Sequence, residues 1–129
     1  MSRKLLMDTH VVLWVVAEPA LLSSLASMAI TRAEELYLSS ASVWEIETKY
    51  RRGKLDLAQD LIGQWNELLK AQNFKPLPIS LHHAALAGQF DMDHGDPFDR
   101  MLAAQAKIEN LPLITKDEEL QKFPIRTVW

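Results

Sequence analysis

Short apolar runs alternate with helical patterns along this chain, and that alternation restricts the fold more than any other feature. The apolar runs lie at 4–7, 36–39, 75–79, 111–115 and 125–128. Helical patterns separate them, over about 9–18, 24–33, 42–52, 58–72, 80–87 and 97–110, with a short one before the last run. Strands that alternate with helices build an α/β fold, a mainly parallel sheet with helices on both faces. The run at 75–79 contains Pro76 and Pro78, which places it at a sheet edge. In sheets of this kind, ligands bind beyond the carboxyl ends of the strands, at the switch point.

Punctuation of the helices is explicit. Thr9 can cap the first, which stops before Pro19. Ser42-x-x-Glu45 reads as a capping box opening the third, and Gly53 stands where a C′ glycine belongs. Leu61, Ile62, Trp65, Leu68 and Leu69 share a face of the expected 58–72 helix. Ser80 caps the next, and 89–95 is a loop. Asp96 is an N-cap, Pro97 fits the first helical position, and Asp99 becomes the third helical residue, at the positive end of the helix dipole. Ala103 and Ala106 lie on the side of Asp99 and make that face thin enough to lie close to a sheet.

The chain of 129 residues reads as a single domain, 1–129, with a sizeable core. Hydrophobic residues at 48% and charged residues at 24% exclude disorder. The absence of cysteine excludes disulfides and thiolate metal sites and fits a cytoplasmic protein. The longest apolar run, 11–17, is too short to span a bilayer, and a charge follows the start too soon for a signal peptide. A formal net charge of −3 excludes a bulk-basic nucleic-acid binder, but says nothing of local patches.

Four acids fall on strand ends or helix starts: Asp8, Glu45, Asp99 and Asp117. Each has a structural reading. Asp8 can cap the first helix, and Glu45 can close a capping box and pair with Lys49. Asp96 and Asp99 imitate a capping box, and Asp117 can cap a short helix. Together they occupy one rim of an α/β sheet, with Thr9 and Thr115 beside them. Four ionised carboxylates in one pocket require a counter-ion. Oxygen-only ligation points to Mg²⁺ or Mn²⁺, which activates water and steadies an attacked phosphodiester.

Lys49, Arg51, Arg52 and Lys54 form a basic cluster that either holds phosphates beside the metal or solvates a helix end. His10 and His94 lie near the rim, and His82 and His83 point in different directions; packing or hydrogen bonding accounts for all four. Trp14, Trp44 and Trp65 are expected on apolar faces, in the core or a dimer contact rather than as base-stacking platforms.

The stretches Leu6-Met7-Asp8-Thr9-His10-Val11, Ser39-Ser40-Ala41-Ser42-Val43-Trp44-Glu45-Ile46, Asp96-Pro97-Phe98-Asp99-Arg100-Met101-Leu102-Ala103-Ala104-Gln105-Ala106 and Leu113-Ile114-Thr115-Lys116-Asp117 resemble the PIN domain family, and within it the VapC-like toxins. The resemblance runs from end to end, and Asp8, Glu45, Asp99 and Asp117 match the family's four acidic positions. It implies a three-layer sandwich around a mainly parallel sheet, and a metal-dependent ribonuclease acting on single-stranded RNA. In that scheme Asp8 and Asp99 ligate the metal, Glu45 and Asp117 act through water, and Thr9, Asp96 and Thr115 support them. Homodimers and a small antitoxin partner are also implied. A housekeeping PIN nuclease or a non-catalytic binding module is the alternative. A haloacid-dehalogenase phosphatase would need a second Asp where His10 stands. A receiver domain would need an Asp where the third strand ends in Ile79-Ser80.

Overall fold

In the computed structural model, which describes residues 3–129, side chains alternate across one sheet and so build two cores. The strands are β1 (Lys4–Met7), β2 (Glu35–Ser39), β3 (Phe74–Leu77), β4 (Leu113–Ile114) and β5 (Thr127–Val128). Their order is β3-β2-β1-β4-β5, and every pairing is parallel. β1 is central, with Leu6 opposite Tyr37 on one side and Leu113 on the other. Because successive strand side chains face opposite ways, Leu5 and Met7 enter one core and Leu6 the other. Leu38 and Ile114 join the first, Leu77 and Leu113 the second.

The first core is closed by α1 (Thr9–Ala17), α2 (Ser24–Arg32), α3 (Ser40–Arg51) and α4 (Trp65–Gln72), through Val11, Val12, Leu13, Ala26, Ile46 and Leu68. The second is closed by α6 (Pro97–Ile108), through Leu102, Ala103 and Ala106, with α5 (Leu81–Gln89) packed alongside it. The result is the three-layer α/β sandwich expected. No helix among the described residues is long and apolar enough to cross a membrane.

Local departures have local causes. The expected 58–72 helix is a short 3₁₀ turn at Asp56–Ala58, then turns, then α4. Gly63 breaks it with φ +73°, a left-handed conformation that a β-carbon disfavours. Leu61 and Leu68 nevertheless both reach the first core, so the periodicity reported burial, not continuity. The third helix starts earlier than its capping box suggests. Ser39 is its N-cap, accepting the Ala41 N–H, and Ser42 lies inside it. Gly53, just beyond that helix, has φ +70°. The edge strand begins one residue before 75, and β4 and β5 are each only two residues long.

Candidate active site

Asp8 follows β1 and Thr115 follows β4, and the pairing of Met7 with Ile114 sets the two side by side. Asp8 itself caps α1: its Oδ1 accepts the Thr9 N–H at 2.6 Å, and its Oδ2 accepts the Thr115 hydroxyl at 2.7 Å. The carboxylate is only 6% exposed. Burial pushes its pKa up, against the hydrogen bonds from Thr115 and Thr9 and the nearby His10, while Glu45 adds to the rise.

With Asp8 as the cap, Thr9 does not cap α1, contrary to the sequence expectation. Its hydroxyl turns inward instead, donating to Glu45 Oε1 at 2.7 Å and lying 2.9 Å from the Ser42 Oγ. Nor do Ser42 and Glu45 form a capping box. Both sit within α3, and Glu45 is buried at 4% exposure between Thr9 and the Lys49 ammonium. Burial pulls the Lys49 ammonium down. The bond and charge of Glu45, with the charges of Asp96 and Asp99, outweigh it and raise its pKa. Lys49 therefore stands in the field of three acids drawn from two helices.

Asp99 arrives from the far side of the rim. Asp96 caps α6 as expected, its Oδ1 accepting the N–H groups of Phe98 at 2.9 Å and Asp99 at 3.1 Å. That fixes Asp99 in the first turn, where its Oδ2 lies 2.9 Å from His94 Nε2. Its pKa is pushed up to about 6, first by burial, against the His94 bond, and further by the charges of Asp96, Asp8 and Asp117. Asp117 is exposed. Its N–H donates to the Thr115 Oγ1 at 3.0 Å, so one hydroxyl serves both Asp8 and Asp117. Its own Oδ1 accepts the Glu119 N–H at 2.9 Å in a turn. Among the described residues, no three His, Asp or Glu side chains are gathered closely enough to enclose an ion by themselves.

Of the basic cluster, only Lys49 reaches an acid; Arg51, Arg52 and Lys54 are exposed at the other end of α3 and beyond. Trp14 packs against the first core and Trp129, and half-buried Trp65 donates to Glu47. Trp44 lies outside the core: it is 58% exposed, its ring edge-to-face with Phe98. His83 is buried in the capping box of α5 and bonded to Glu109.

His94, expected near the rim in a packing or hydrogen-bonding role, bonds Asp99. Sequence reasoning missed two further supporting groups. Arg100 donates to four carbonyls, those of Ala87, Phe90, Met92 and His94, and so ties down the loop that carries His94. Buried Gln105 accepts the Ser39 hydroxyl and donates to the Pro78 carbonyl, joining α6 to the ends of β2 and β3. Two surface grooves, along Leu22–Arg32 residues and beneath Asn110 and Arg126, involve none of the four acids, which occupy an open rim.

The family described as "PIN domain" matches residues 5–125. The chain belongs to the PIN domain family. As a PIN domain it is 33% identical over 129 residues to Ribonuclease VapC22 of Mycobacterium tuberculosis (strain ATCC 25618 / H37Rv), covering 96% of this chain and 97% of that protein. Its fold is similar to VapBC2 from Rickettsia felis, solved bound to a promoter DNA fragment, with TM-score 0.64, 14% identity and 96% of both chains covered. It is also similar to FitAcB from Neisseria gonorrhoeae, with TM-score 0.60, 22% identity and 95% of both chains covered. These solved structures establish the likeness of fold.

Proposed function

We propose that this PIN domain is a metal-dependent endoribonuclease of single-stranded RNA, the toxin of a VapC-like toxin–antitoxin pair, with 1–129 acting as one domain. The observation that carries it is convergence: Asp8, Asp96 and Asp117 all bear on Asp99 at the carboxyl end of a parallel sheet. The identity to a protein named Ribonuclease VapC22 supports the reaction class.

The donor set fits a hard divalent cation. Every acid offers oxygen, and burial, with neighbouring acids adding to it, raises the Asp8 and Asp99 carboxyls. In this reading Asp8 and Asp99 hold Mg²⁺ or Mn²⁺. Two carboxylates suffice, because Mg²⁺ keeps several waters and takes substrate phosphate oxygens. Such an ion, when bound, supplies an acidified water and charge neutralisation at the phosphodiester. The chain supplies the rest. Thr115 and the Thr9 amide orient Asp8, while the Thr9 hydroxyl and Lys49 orient Glu45. Glu45 and Asp117 receive protons through water, and Asp96 fixes the backbone under Asp99. Lys49, with Arg51, Arg52 and Lys54, steers RNA phosphates.

Asp8→Asn tests this. It keeps the size and one acceptor of Asp8 but removes its charge, so the fold should survive while Mg²⁺-dependent cleavage of single-stranded RNA is lost. Full cleavage by purified Asp8→Asn protein would overturn the assignment. A wild-type chain that binds partners yet cleaves no RNA with Mg²⁺ or Mn²⁺ would leave the non-catalytic module. Cleavage without toxicity on expression would leave a housekeeping nuclease.

A small antitoxin and a second copy are the proposed protein partners, in the cytoplasm. Val11, Val12 and Leu13 are buried in the chain's own core, whereas Leu21, Leu25 and Met28 are exposed in and before α2. Leu25 and Met28 are three residues apart on that helix, as an amphipathic antitoxin helix would require.

A further inference from the structure

We propose that Trp44, braced by Phe98, is a base-stacking platform that holds a nucleobase of single-stranded RNA beside the acidic rim. The inference rests on the ribonuclease reading and adds a subsite to it. Trp44 precedes Glu45 and Phe98 precedes Asp99 in the chain. Their rings meet edge-to-face with centroids 4.7 Å apart at 77°, so the contact crosses from α3 to α6 next to both acids. Edge-to-face packing uses the rim of one ring and leaves indole surface open, consistent with the 58% exposure of Trp44.

Charge selects the occupant. Ser40, Trp44 and Arg51 lie four and seven residues apart, on one side of α3, and Arg52 follows Trp44 by eight. Ser40, Arg51 and Arg52 are exposed, and neither arginine forms an ion pair among the described residues. One face of α3 therefore offers an aromatic plane followed by cations. Single-stranded nucleic acid carries the complement, π-faces strung on phosphates, and proteins that bind it combine these two elements.

The test uses binding, measured without divalent metal, so that it does not depend on cleavage. The probes are a short oligoadenylate and an abasic oligomer of the same length. Wild-type protein should bind oligoadenylate with quenching of indole fluorescence. Trp44→Ala should weaken that binding roughly tenfold, within the range a base–aromatic stack carries. Trp44→Phe should restore most of the affinity while losing the quenching. On the abasic oligomer Trp44→Ala should cost far less, since indole and base act as a pair. With metal present, the loss in Trp44→Ala should fall on KM for oligoadenylate more than on kcat. Equal losses on both oligomers, or no oligoadenylate binding by the wild type, would overturn the platform. So would a change of oligomeric state in Trp44→Ala with RNA binding intact, which would make Trp44 a protein contact. Absence of all RNA cleavage beside normal stacking would instead count against the nuclease reading alone.

Discussion

A single hydroxyl shows how much of the rim rests on groups that do no chemistry. Thr115 donates to Asp8 and accepts from the backbone of Asp117. Thr115→Val keeps the shape, loses both bonds, and should reduce cleavage about 10- to 100-fold, as loss of a carboxylate-orienting partner does. Steady-state kinetics at saturating Mg²⁺ will check it. Asp99 makes a separate prediction through pH. Its folded pKa of about 6 lies above the ordinary value of 3.8, so between them the folded chain holds the extra proton. The stabilising contribution of protonated Asp99 is complete below the unfolded value and is lost as pH rises through about 6. Burial moves Asp8 in the same direction. Urea midpoints of the metal-free protein should fall across that window. Mg²⁺ should restore stability above about 6 and have little effect at the acid end. A midpoint that rises steadily with pH in EDTA would contradict the assigned environment of Asp99.

Among the elements, the loop before α6 is held by one side chain. Arg100→Met should release four carbonyls, destabilise the chain by about 2–3 kcal/mol, and raise amide exchange across 89–95 before it affects the sheet. Urea denaturation and hydrogen exchange will measure the two effects. This element also marks the limit of what the sequence disclosed. Asp96, Pro97 and Asp99 announce the start of α6 because capping is local chemistry, legible within four residues. Strand positions were legible because apolar runs bounded by polar residues leave few alternatives. The roles of Arg100 and Gln105 were hidden because their partners are tertiary: a loop carbonyl or a distant hydroxyl leaves no periodic trace. Ser42 and Glu45 misled for the reverse reason. They satisfy a local capping pattern, but the backbone of Ser39 begins the helix first, and Thr9 claims both side chains. Gly63 carried the break in the expected 58–72 helix in plain view, outweighed by apolar spacing that burial alone explains.

For the whole molecule, the proposed antitoxin contact on the exposed Leu21, Leu25 and Met28 is open to test. Co-expression with the gene encoding its small partner should restore growth that expression of this chain alone suppresses. A Leu25→Glu chain should remain toxic despite that partner, with growth curves as the measure. Light scattering at high micromolar concentration should report a dimer for the isolated chain. The long reach of the rim has a further consequence, for synthesis. The Asp8–Thr115 bond joins positions 107 apart, and β4 must enter the sheet before it can form. A ribosome exposes Asp8 early and Thr115 late, so the growing polypeptide should carry its acids scattered and spare the message that encodes it. Ribosomes stalled before β4 emerges should display harmless nascent chains, whereas those stalled on a C-terminal linker long enough for β5 to clear the exit tunnel should degrade added RNA when Mg²⁺ is present.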